Sequence, residues 1–175
     1  MKPSFYLIIC LIFCSCAGTI RTVNYSNYSI TGFKKACVIS SENSQFIKFK
    51  FGIITPVGYF IPADDPAVKK DAIGNTDVVI KQELEKYGIQ TEIIKRSDQE
   101  VVRDNFDLIV VYNDTWRWDF VKILDNLEIV FITPKGDSVI AQSTYNICQN
   151  KEFHNFPTPR KEVPKMIKEL FKNSR

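Results

Sequence analysis

Residues 107–119 read DLIVVYNDTWRWD. The first half, Leu108–Tyr112, is apolar at every position and is bounded by Asp107 and Asn113. A half-exposed strand alternates and an amphipathic helix repeats near 3.6 residues, so an unbroken short apolar run fits a strand covered on both faces. Such a strand sits inside a sheet rather than at its edge. The second half supports two readings. As a loop past the end of a buried strand, Asn113, Asp114, Trp116, Arg117, Trp118 and Asp119 set hydrogen-bonding groups beside flat aromatic faces. That mixture suits a sugar, a peptide or a protein partner. As a continuing strand, Trp116 and Trp118 share one face, Arg117 and Asp119 the other, and one tryptophan fills the core.

Working outward, residues 75–95 hold a helix and a strand. Asn75 or Thr76 caps the helix, Val78, Val79, Ile80 and Leu84 supply its apolar stripe, and Gly88 stops it. IQTEII (89–94) alternates as a half-buried strand, and SDQEVVRDN (97–105) offers a short helix capped by Ser97. Helix, strand, short helix, strand permits a right-handed crossover with parallel pairing. Further upstream, KKACVIS (34–40) and FIKFKFG (46–52) are β-rich runs separated by polar residues. Residues 54–75 hold three prolines and two glycines and predict a long loop, with a brief extended piece at Val57–Ile61. Downstream, LEIVFIT and SVIAQSTYNI flank PKGD (134–137), a hairpin signal. Val163, Met166, Ile167, Leu170 and Phe171 then form one helical stripe. Pro164 is best tolerated in a first turn, which predicts a start near Glu162. The sum is an α+β (α/β) domain over 34–175, with two main helices packed on a mixed sheet in two layers.

The chain opens MKPSFYLIICLIFCSCAG. Phe5–Phe13 is nine residues, about 13 Å of helix against a bilayer core of about 30 Å, too short to span. Lys2, the apolar run and Ser15 have the order of a secretory signal peptide. Phe13-Cys14-Ser15-Cys16 resembles a bacterial lipobox, with Phe13 in place of the usual leucine. Of Cys10, Cys14 and Cys16, only Cys16 follows a small residue. The resemblance implies that residues 1–15 are a cleaved leader and that Cys16 carries acyl chains, palmitate among them, as a membrane anchor. Two or three chains make such attachment effectively permanent. It also implies a bacterial envelope address. Ala17 in place of aspartate, with no acidic run after Cys16, favours the outer membrane on its periplasmic side. Residues 16–33, polar and irregular, are expected to be a flexible tether, with a strand at its end as the alternative. Asn24-Tyr-Ser26 and Asn27-Tyr-Ser29 fit glycosylation sequons, but behind a lipobox they are linker composition.

Without the leader the chain keeps 22 basic and 20 acidic residues, a net charge of +2 and no footprint for nucleic acid. Cys37 and Cys148 are then the remaining thiols, open to a disulfide in an oxidising compartment or to burial as separate small hydrophobes. His154 is the one histidine, in a polar stretch, and no zinc, calcium or phosphate-loop motif occurs. No cofactor is implied. Two functions follow from different classes. The first is a non-enzymatic envelope lipoprotein that binds another protein or a cell-wall polymer. The second is an envelope hydrolase using Asp64, Asp65, Asp114 or Asp119, carboxylates that would have to converge in one cleft. A small-ligand carrier would need a closed apolar cavity. The terminal segment 158–175, with six basic residues against two glutamates, is either a solvated helix face or a contact with anionic lipid.

Overall fold

The computed structural model describes residues 18–25, 32–40, 44–48, 53–54, 60–61, 67–70, 74–95, 105–119, 121–134, 138–147 and 156–172, with the backbone alone at 45–48, 53–54, 60–61, 67–70, 118 and 119. Cys16, Asp64, Asp65, the short helix expected after Ser97, Cys148 and His154 lie outside the described residues.

The apolar run opens β8 (Leu108–Asp119), and Leu108, Ile109, Val110 and Tyr112 are all buried. Along one side β8 pairs antiparallel with β9 (Val121–Ile132). Along the other it pairs in parallel with β2 (Lys35–Ser40) and then with β3 (Gln45–Lys48). β2 and β3 therefore follow one another down β8 rather than pairing with each other. The sheet has eight strands. Its main path runs β1 (Thr19–Asn24), β10 (Val139–Asn146), β9, β8, β2, β7 (Gln90–Lys95). β6 (Ala67–Lys70) adds antiparallel to β3. β4 (Ile53–Ile54) and β5 (Phe60–Ile61) form a separate two-stranded ladder within the expected loop. The β7–β2–β8 side is parallel and the β8–β9–β10–β1 side antiparallel, so the sheet is mixed as expected.

Helix α1 (Thr76–Lys86) buries Thr76, Val79, Ile80, Glu83 and Leu84, spaced i, i+3, i+4, i+7, i+8. Val78 falls off that stripe and is 37 % exposed, a correction to the expected set. Gly88 ends the segment at φ +79°, in the left-handed region open to glycine. Helix α2 (Pro159–Lys172) buries the whole expected stripe, but it begins three residues before Glu162. Pro159 takes the first position, and Thr158 O accepts from the N–H groups of Lys161 and Glu162. Pro164 lies inside the helix, where its missing N–H forfeits one backbone bond while its neighbour Val163 is fully buried. The two helices meet where the Tyr87 and Phe171 rings stack at 4.1 Å.

One core cluster joins both helices to Ala36, Val38, Leu108, Val110, Tyr112, Leu127, Ile129 and Phe131 on one face of the sheet. A smaller cluster of Cys37, Ile39, Phe106 and Ile109 lies on the other face. Cys37 is thus a buried strand residue.

The tether expectation needs correcting at residues 19–24. They form edge strand β1, paired residue for residue with β10 from Thr19↔Asn146 to Asn24↔Ala141. Ile20, Thr22 and Asn24 are half-buried while Thr19, Arg21 and Val23 are exposed, the alternation of a strand covered on one face. The partner strand is more than a hundred residues away in sequence, so local composition could not announce the pairing.

Candidate functional site

The tryptophan-rich segment 113–119 is a strand, and pleating sends its neighbours to opposite faces. Asp114 points into the main core and is 2 % exposed. Its Oδ2 accepts from Thr76 Oγ1 at 2.7 Å and from Trp116 Nε1 at 3.0 Å, while Oδ1 accepts from Ser44 Oγ. One carboxylate thereby ties β8 to the first residue of α1 and to the junction between β2 and β3. The N-terminus of α1 also carries the positive end of the helix dipole, a favourable neighbour for the anion. Trp116 is buried and its ring lies over Gly74, where an added Cβ would come within 2.8 Å of the indole. Gly74 has φ +101°, so the close approach and the backbone both require glycine.

Arg117 is buried as well. Its Nη1 lies 3.4 Å from Asp125 Oδ1, and among the described residues its Nε and Nη2 find no hydrogen-bond partner. Asp125 is the extra residue of a β-bulge between Thr115↔Asn126 and Trp116↔Leu124. Burial, then the charges of Glu162 and Asp125, push the Tyr145 phenol up to about 12, with Arg117 acting in the opposite sense. Of the expected binding set, Asp114, Trp116 and Arg117 are therefore inside the protein rather than on offer to a ligand. The side chains of Trp118 and Asp119 lie outside the described residues.

Asn113 faces the other way, and it is exposed. The register places it in a grid on the sheet face opposite the helices. Across β1, β10, β9 and β8, one row is Thr19, Asn146, Asn126 and Thr115, and the next is Arg21, Thr144, Glu128 and Asn113. A third row, Val23, Gln142, Val130 and Val111, leads towards the smaller apolar cluster. Every residue of this grid is exposed or half-exposed. A hydrogen-bond chain crosses it. Tyr25 Oη donates to Gln142 Oε1 at 2.9 Å, Gln142 Nε2 donates to Glu128 Oε1 at 2.5 Å, and Asn113 Nδ2 donates to Glu128 Oε2 at 3.3 Å. Asn126 Nδ2 donates to Asn146 Oδ1 at 2.5 Å in the first row. Tyr25 (58 % exposed) and Val23 (47 %) stand at the rim.

Such a face presents amide, hydroxyl and carboxylate groups at the strand spacing of about 4.8 Å, with an aromatic edge. It can hydrogen-bond an extended polar chain laid across the strands and stack a flat ring on Tyr25. Sequence reasoning found Asn113 and missed Glu128, Gln142 and Tyr25. The available signal was the period-two polar pattern of β9 and β10, which becomes a surface only once the hairpin register is known. Among the described residues no group of three histidine, cysteine or acidic side chains could hold a metal ion, and no helix is long and apolar enough to cross a membrane.

No protein-family model matches the chain, and no curated protein matches its sequence. Among solved structures the chain is similar to the PelC dodecamer from Paraburkholderia phytofirmans, at 14 % identity and a TM-score of 0.48, covering 87 % of this chain and 94 % of that one. It is also similar to a neuraminyllactose-binding hemagglutinin homolog from Helicobacter pylori, at 10 % identity and a TM-score of 0.36, covering 85 % and 86 % of the two chains.

Proposed function

We propose that this protein is a lipid-anchored envelope lipoprotein, held by acyl chains on Cys16, whose two-layer domain binds a cell-envelope polymer on its open sheet face. The observation that carries the binding reading is the four-strand polar grid around Glu128, with Tyr25 at its rim. The anchor rests on Ser15-Cys16 behind a short apolar run. The address that follows is the periplasmic side of an outer membrane. A non-enzymatic role is preferred to hydrolysis because Asp114, a carboxylate of the hydrolase reading, is occupied by three buried donors.

Two measurements test this. Mass analysis of detergent-extracted protein should show acyl chains on Cys16, and Cys16→Ser should abolish them; an unmodified Cys16 overturns the anchor. Purified protein should be retained on insoluble envelope polymer prepared from the producing cells and leave the polymer chain length unchanged. Absence of retention overturns the binding reading, and shortening of the polymer restores the hydrolase.

A further inference from the structure

Lys161, Lys165, Lys168 and Lys172 follow one another along α2 at i, i+4, i+7 and i+11, a straight stripe on the side away from its buried residues. All four are exposed. Lys165 Nζ lies 2.8 Å from Glu162 Oε2, and Lys161 Nζ lies 3.4 Å from the Phe156 carbonyl. The middle of the stripe borders β1. Ile20 and Thr22 from the strand and Lys165, Lys168 and Glu169 from the helix line a cleft of about 480 Å³. β1 is also the strand next to the anchor. Gly18 is half-buried against Tyr145, so closely that a Cβ would overlap the phenol ring. Two peptide units separate Gly18 from Cys16, at most about 7.2 Å between Cα atoms.

We infer that α2 and β1 form the membrane-facing side of the domain, with the lysine stripe on anionic phospholipid headgroups and the cleft receiving a headgroup phosphate between Lys165 and Lys168. This rests on the lipid at Cys16 proposed above. With the chain fixed so soon after Cys16, the acyl chains hold the β1 edge at the bilayer surface, and the helix beside that edge carries the lysines. Positive charge within a Debye length of an anionic surface is attracted to it. Ile20 gives the cleft an apolar wall for the glycerol end of the lipid. Glu169 is the opposing charge in the cleft and marks one wall as the less favourable for phosphate. The polar grid occupies the other face of the same sheet and stays open to the periplasm.

The test uses the full acylated protein in vesicles of phosphatidylcholine alone or with one third phosphatidylglycerol. Amine labelling read by mass should slow about tenfold at Lys161, Lys165, Lys168 and Lys172 in the anionic vesicles, with Lys86 unchanged as an internal control. In K165Q/K168Q, the protection of Lys161 and Lys172 should disappear while the melting curve stays that of the wild type. Acylated Cys16 with equal labelling in both vesicles overturns this orientation and leaves the anchor standing. An unacylated Cys16 overturns both.

Discussion

Asn113 and Asp114 are neighbours on one strand with opposite surroundings. Asp114 is sealed into the helix-covered face with three donors on its carboxylate, and its role is to fix where α1 starts relative to β8. Asn113 stands on the open face, bonded to a side chain of the next strand. Both are small, polar and adjacent to the same apolar run. What separates them is parity along the strand, because a buried polar group must find its partners inside the protein while an exposed one is free to exchange them with a ligand. The two faces of β8 should therefore answer mutation in different currencies, stability on one and binding on the other.

The largest stability loss is expected at Trp116. Trp116→Ala removes a buried indole and its hydrogen bond to Asp114, and should cost about 3–5 kcal/mol, read as a shift in the denaturation midpoint. A Trp116→Ala protein melting within a degree of the wild type would show that the ring is not core. Asp114→Ala comes next, at about 2–3 kcal/mol, since Ser44, Thr76 and Trp116 each lose an acceptor. Asp114→Asn should recover part of that by keeping an oxygen acceptor.

Two pH arms are smaller. The Tyr145 phenol titrates higher in the fold than in the unfolded chain, up to about 12 against 10.0. Its contribution is fully present below about pH 10, and it is lost as pH rises towards 12, because the unfolded chain gives up its proton first. Tyr145→Phe should remove that alkaline step from a stability-versus-pH curve; an unchanged slope would mean that the hydroxyl is not held in the interior. At the acid end, the N–H groups of Lys34 and Lys35 hold the Asp107 carboxyl below its usual range. That stabilisation is present above the unfolded value of 3.8 and fades as pH falls through the lower folded value. Asp107→Asn should flatten this acid arm: the variant loses that contribution at neutral pH and converges with the wild type in acid, where the carboxyl is protonated in both states.

How much of this could be seen beforehand depends on how local each signal is. The Leu108–Tyr112 run, the β9–β10 hairpin and the α2 stripe carry their own periodicity and are all found, although β9 begins at Val121, six residues before the expected run. β1 does not, because six mixed residues become a strand only through β10, more than a hundred residues away. Pro164 predicts a start for α2 near Glu162, yet the helix begins at Pro159, since a helix with a well-buried stripe tolerates one missing bond. Segment 113–119 offered both a loop and a strand, and alternation decides for the strand. The same alternation that buries Trp116 exposes Asn113 and leaves the polar grid on residues 113, 128 and 142, on three successive strands and side by side in space.

The smallest expected change in stability belongs to the variant that should abolish binding. Tyr25→Ala, Asn113→Ala and Glu128→Ala together strip the exposed chain of hydrogen bonds and touch no core residue. Each surface change should fall within about 0.5 kcal/mol. Capture of the combined variant on insoluble envelope polymer, compared with wild type at matched folded fraction, is the direct test. The open face as binding surface predicts at least a tenfold loss of capture with a near-native melting curve. Undiminished capture by the folded variant would contradict it.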